Sequence, residues 1–176
     1  MIPTLDAITG RLPLGRWPAT LEEAKAFASR DESELRAAIW HDWETLTTAV
    51  REATTAIAAV WLSGSYFSTT ERPGDIDCLY VVDRALLERA GGDTATAEFL
   101  ALVSKAKEAF GLKVDGFILP WWPRPGTHRG SEERRSGYLE SRGYWDDLWS
   151  RTRGTDLKEA ARPRQGYLEV ILDGYR

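Results

Sequence analysis

The chain has 176 residues, with 23 Lys and Arg against 27 Asp and Glu and a formal net charge of −4. That length favours one domain with a single sizeable core, and a hydrophobic fraction of 43% excludes a disordered chain. No run of ~18 apolar residues occurs, and the first residues include Pro3 and Asp6, so neither a membrane span nor a secretory signal is expected.

Residues 1–19 hold Pro3, Gly10, Pro13, Gly15 and Pro18 and read as an irregular arm. Thr20 with Glu23 forms a capping-box pattern, which predicts a short helix over 21–29. Asp31 with Glu34 repeats the signature ahead of a long helix. Its buried stripe is Leu35, Ile39, Trp43, Leu46, Val50, Ala53 and Ile57, recurring every three or four residues. Trp40, His41 and Trp43 read as packing with a polar edge. Residues 58–63 (AAVWLS) predict a buried strand ending at Gly64, and residues 76–82 (IDCLYVV) a second strand, central in its sheet.

Asp83 is placed to cap a short helix over 84–90, ended by Gly91 and Gly92. Residues 94–110 predict one further helix, stopped by Gly111, and residues 112–119 (LKVDGFIL) a third strand. Pro120 opens a segment with Trp121, Trp122, Pro123 and Pro125, expected to be neither helix nor central strand. The stretch to Gly137 reads as an aperiodic loop, which at that length is functional or mobile. A short helix over 138–152 and a closing strand over 167–172 complete the chain. The expectation is a single α/β (α+β) domain over 1–176 with a small mixed sheet flanked by helices. Its parts are an N-terminal arm and helical layer (1–57), a core (58–119), and a loop, short helix and closing strand (120–176).

The single cysteine, Cys78, excludes an internal disulfide and suits a reducing cytoplasm. With only His41 and His128 available, paired-histidine zinc motifs are absent and catalysis is expected to run on carboxylates. Residues 1–120 carry 12 basic and 18 acidic side chains, and residues 121–176 carry 11 and 9. That distribution argues against a broad nucleic-acid surface. It leaves room for a small anionic ligand held through metal ions.

The stretch 61–82 (WLSGSYFSTTERPGDIDCLYVV) places Gly64 and Ser65 at the end of one strand and Asp75 and Asp77 at the start of the next. Residues i and i+2 of a strand face the same side, so both carboxylates share one cleft. Two such groups repel unless a cation lies between them, and Mg²⁺ takes oxygen ligands while keeping places for phosphate and water. A Gly-Ser turn offers a phosphate exposed N–H donors and a hydroxyl. Asp115 stands inside an otherwise apolar strand, where a lone buried charge is costly. If strands 76–82 and 112–119 are neighbours, Asp75, Asp77 and Asp115 form one metal-ligating cluster that can bind two metal ions and support in-line phosphoryl chemistry. Cys78 alternates away from it and reads as core.

Gly64-Ser65, nine intervening residues, Asp75-Ile76-Asp77 and then Asp115 resemble the nucleotidyltransferase superfamily with a polymerase-beta-like palm, most closely its short minimal bacterial members. The resemblance covers residues 57–119. It implies that Asp75 and Asp77 hold Mg²⁺ or Mn²⁺ with a nucleoside triphosphate. It further implies that Asp115 positions and deprotonates an acceptor hydroxyl, and that Gly64 and Ser65 contact the outer phosphates. The implied reaction moves a nucleotide monophosphate to a hydroxyl of a protein, an RNA end or a small molecule. Such proteins often serve in toxin–antitoxin or phage-defence pairs, so a cognate partner protein is a further implication.

Many minimal members carry an arginine just after the Gly-Ser pair, where this chain has Tyr66 and Phe67. Positive charge must then come from Arg72, or from Arg124, Arg129, Arg134 and Arg135 in a segment that reads either as a solvated loop or as a lid. Trp121 and Trp122 suit packing more than base stacking. The rival expectations are a non-catalytic nucleotide sensor or partner-binding module on the same fold, and a phosphohydrolase using the same carboxylates.

Overall fold

The computed structural model describes residues 1–31, 33–122, 131–152 and 157–175. In chain order the first half contains β1 (Gly15–Ala19), α1 (Leu21–Ala28), α2 (Glu34–Thr54), β2 (Ala59–Ser63) and β3 (Ile76–Asp83). Then follow α3 (Arg84–Ala90), α4 (Thr94–Leu102), α5 (Ala106–Phe110), β4 (Val114–Trp121), α6 (Ser131–Ser150), α7 (Leu157–Ala160) and β5 (Gly166–Ile171). The five strands form one mixed sheet in the order β1-β5-β2-β3-β4. The protein is a mixed α/β structure, as the alternation of helical and strand patterns predicts. Among the described residues no helix is long and apolar enough to cross a membrane.

Both halves of the capping box form at α1: Glu23 N–H donates to Thr20 Oγ1 at 3.1 Å, and Thr20 N–H donates to Glu23 Oε2 at 3.0 Å. The cap of α2 is Ser33 rather than Asp31. Asp31 instead pairs with the Arg36 guanidinium at 3.2 Å, since a side-chain partner competes with the helix end for its carboxylate. Ile39, Trp43, Leu46 and Val50 of α2 are buried against one sheet face with Val60, Leu62, Cys78, Tyr80 and Val82. Trp40 joins that core and His41 is exposed, in line with packing and a polar edge. The opposite face carries Trp61, Leu79, Val81, Leu119 and Tyr167, covered by Trp145 and Trp149 of α6. Burial on both faces makes β3 apolar beyond Asp77.

Three further expectations are corrected. Residues 15–19 are not an irregular arm but an edge strand, β1, parallel to β5, where Pro18 removes no needed donor. β4 runs two residues past its expected end at 119, through Pro120 and Trp121, and as the other edge strand it tolerates proline for the same reason, in line with the expectation that this segment is no central strand. Residues 94–110 are not one helix: a 3₁₀ turn over Val103–Lys105 separates α4 from α5 and buries Val103. That side chain fills the space over Gly116, so tertiary packing overrides helical continuity. The aperiodic stretch ends earlier than Gly137, because α6 begins at Ser131. The lid expectation for 121–137 falls largely on residues 123–130, outside the described residues.

Candidate active site: three aspartates at the ends of parallel strands

The sheet's connectivity brings the carboxylates together. β2 and β3 are antiparallel, with Ser63 opposite Asp77, so the loop between them ends beside the start of β3. β3 and β4 are parallel, joined by the α3–α5 crossover, and start at the same end of the sheet. Asp77 and Asp115 are each the second residue of their strand and stand directly opposite one another. Asp75 lies two residues before Asp77. One oxygen from each of Asp75, Asp77 and Asp115 lies within 4.8 Å of the others, and all three side chains are half-buried. Asp115 thereby stands in the predicted cluster, on the strand next to that of Asp77.

Gly64 is required on two counts. Its φ of +91° and ψ of −174° lie in a region open essentially to glycine. A Cβ placed there would stand 2.1 Å from Asp77 Oδ2. The turn thus presses its backbone against the Asp77 carboxylate, and Ser65 opens the 3₁₀ turn that follows. Gly116, beside Asp115, faces away: its missing Cβ makes room for Val103 and Leu46.

The loop after Gly64 is fixed from behind by two arginines. Arg36, 2% exposed, donates to the carbonyls of Ser68 (3.1 Å), Thr70 (2.7 Å) and Tyr66. Arg30 donates to the Ser68 carbonyl at 2.5 Å. Tyr66 and Phe67, which follow the Gly64-Ser65 pair, are buried in the core. Desolvation pushes the Tyr66 hydroxyl up to about 12 even though Arg36 and Arg30 pull the other way. Arg36 lies on α2 three residues before Ile39 of the buried stripe, and a charge at that spacing is the sequence signal for it.

At Asp75 and Asp115 positive charge comes from Lys107 on α5. Its ammonium donates to Asp115 Oδ1 at 2.8 Å and to Asp75 Oδ2. Burial opposes this charge, but the hydrogen bonds Lys107 donates to Asp115 and Asp75, together with the charges of those carboxylates, outweigh it and raise the Lys107 pKa. Arg72, expected to supply the charge, is exposed in the loop, and the ion pairs of Asp75 and Asp115 run to Lys107. Arg124 and Arg129 lie outside the described residues, as do the side chains of Arg134 and Arg135. Trp121 packs on Tyr175 with ring centroids 5.0 Å apart, and Arg84 lies 5.6 Å from the Trp122 ring centre. Cys78 is fully buried on the face away from the aspartates, and desolvation pushes its thiol up to about 12.

A cleft of about 690 Å³ lies beside α6, lined by Arg16, Arg142, Asp146 and Tyr167 among others, and by none of Asp75, Asp77 and Asp115. It shares their sheet face: Tyr167 packs on Trp61, and Trp61 alternates in phase with Ser63, the partner of Asp77.

Fold and site together define a mixed α/β protein with a three-carboxylate cluster at one end of the sheet, backed by a glycine turn. The chain belongs to the DUF6932 family, a family of unknown function, whose model matches residues 3–171. Comparison with curated proteins and with solved structures gives no match.

Proposed function

We propose that the protein is a metal-dependent nucleotidyltransferase acting on a nucleoside triphosphate and an acceptor hydroxyl. The observation that carries this reading is the register of Asp77 opposite Asp115, with Asp75 completing a cluster whose oxygens lie within 4.8 Å. The donor set suits a hard divalent cation, since all three donors are carboxylate oxygens and an octahedral ion holds its oxygens about 3–4 Å apart. The missing Cβ of Gly64 leaves the space that the Asp77 carboxylate fills. Asp75 and Asp77 would hold Mg²⁺ or Mn²⁺, which supplies charge neutralisation to the phosphates.

The chain's own groups do the rest. Backbone N–H groups at Gly64 and Ser65, with the Ser65 hydroxyl, bind outer phosphate oxygens, and Arg72 stands in the adjoining loop. Asp115 accepts the proton of the acceptor hydroxyl. The acceptor oxygen forms a bond to the α-phosphorus as the α–β bridging P–O bond breaks, and pyrophosphate leaves. The catalysis is positioning and electrostatics more than covalent chemistry. The cleft beside α6 gives a protein side chain, an RNA end or a small acceptor a place on the same face. Tyr167, at its edge, is two strands from Asp77, roughly 10 Å.

The test incubates the full chain with each α-labelled nucleoside triphosphate, Mg²⁺ or Mn²⁺, and separate RNA and protein fractions. Label moved to an acceptor, and lost in Asp75→Asn with Asp77→Asn, is the expected result. Transfer that survives in the double variant refutes the assignment, and conversion of the triphosphate to labelled nucleoside di- or monophosphate with no label on an acceptor identifies a hydrolase instead.

A further inference from the structure

Three carboxylates bring three negative charges to the site, and one ammonium already stands among them. Lys107 Nζ is 2.8 Å from Asp115 Oδ1 and also hydrogen-bonds Asp75 Oδ2, so it occupies the point where a cation shared by those two residues would sit. The third carboxylate is set differently, with Asp77 Oδ2 lying against the backbone of Gly64. The lysine is held at its base. Neighbouring Ala106 is buried against the sheet, and the Lys107 carbonyl accepts from the Gly111 N–H at 3.1 Å as α5 ends in a left-handed glycine. An ammonium and a divalent cation repel at such range and do not share the same pair of oxygens.

We propose that Lys107 replaces one of the two metal ions a three-carboxylate site ordinarily takes. The site binds a single divalent cation, on Asp75 and Asp77, while the Lys107 ammonium supplies the fixed charge between Asp75 and Asp115. This inference rests on the metal-binding reading of the same aspartates. The lysine already offsets one of the carboxylate charges shared by Asp75 and Asp115, which lowers the demand for a second cation there. The proposal also gives Lys107 a part in the reaction: it holds Asp115 beside the acceptor without a second metal.

The experiment titrates metal-free full chain with Mn²⁺ alone and reads free Mn²⁺ by electron paramagnetic resonance. Wild type is expected to saturate at one ion per chain. Lys107→Met is expected to take a second ion, at least about tenfold more tightly than any weak second binding to wild type. Lys107→Arg, which keeps the charge, is expected to stay at one. Circular dichroism checks the fold of each variant, with Lys107→Gln replacing Lys107→Met if the latter does not fold.

Two ions bound by wild type overturn the proposal whatever the variants do, since the lysine then yields its place to metal. One ion in both wild type and Lys107→Met overturns it as well. Absence of Mn²⁺ binding in wild type, matched by Asp75→Asn, is a different failure: it removes the metal-site reading itself.

Discussion

Gly64→Ala is the substitution whose outcome is most tightly set by the geometry. Any side chain at φ +91° and ψ −174° carries a backbone cost of about 1–3 kcal/mol. The new methyl would also stand 2.1 Å from Asp77 Oδ2, so the carboxylate must move by roughly an ångström before contact becomes tolerable. A loss of about 2 kcal/mol or more is expected, which for a chain of this size lowers Tm by about 4–8 °C. Urea and thermal unfolding followed by circular dichroism measure it. The displaced Asp77 predicts a second effect, weaker Mn²⁺ binding, read in the same metal titration as wild type. Gly74→Ala is the control: its added Cβ meets nothing within 4 Å, and its φ is not in the left-handed range. It should be neutral or slightly stabilising, by up to ~1 kcal/mol through the unfolded chain. Wild-type stability together with unaltered Mn²⁺ affinity in Gly64→Ala would refute the reasoning about this turn.

Arg36→Ala should cost about 3–5 kcal/mol, because a buried guanidinium holding three backbone carbonyls leaves them unpaired when it goes. Arg36→Lys should recover only part of that loss, since an ammonium lacks the planar fork; urea midpoints distinguish the cases, and a loss under ~1 kcal/mol would mean water replaces the arginine. Lys107 predicts a pH effect in the metal-free protein. Its folded pKa is raised above the ordinary 10.5, so its stabilisation is fully present below that value and is lost as pH climbs through the folded pKa. Lys107→Met should therefore show a shallower fall in stability above about pH 10.5 than wild type, and identical slopes would contradict the ion-pair assignment.

The local signals in the sequence were sound where the partner was local. Thr20 and Glu23 cap α1, Asp83 caps α3, Gly111 ends α5, and the Ile39–Trp43–Leu46–Val50 stripe of α2 faces the core. The three aspartates were readable because strand alternation and an out-of-place charge at Asp115 both constrain position. Lys107 was not readable: its partners, Asp75 and Asp115, are set by the β3–β4 register and by the break between α4 and α5, which depends on Val103 packing over Gly116. β1 was hidden by Pro18, a strand breaker everywhere except at an edge, and edge status is a property of the assembled sheet. Residues 131–137 carry no apolar periodicity and so read as loop, whereas the helix that starts at Ser131 is held further along, where Trp145 and Trp149 lie on the sheet.

The strand order also sets a sequence of events during synthesis. β2, β3 and β4, which carry the aspartates, come from one continuous stretch ending at Trp121, and their pairings close comparatively short loops. β1 has no neighbour but β5, so the first strand made must wait for residue 171 before it can pair. Until then the Ala59–Leu62 edge, which β5 will cover, stands open with fully buried-type side chains on it. Nascent chains stalled after β4 should thus hold an assembled carboxylate cluster on an incomplete, self-adhesive sheet, and it is β5, sliding between two waiting strands, that closes it.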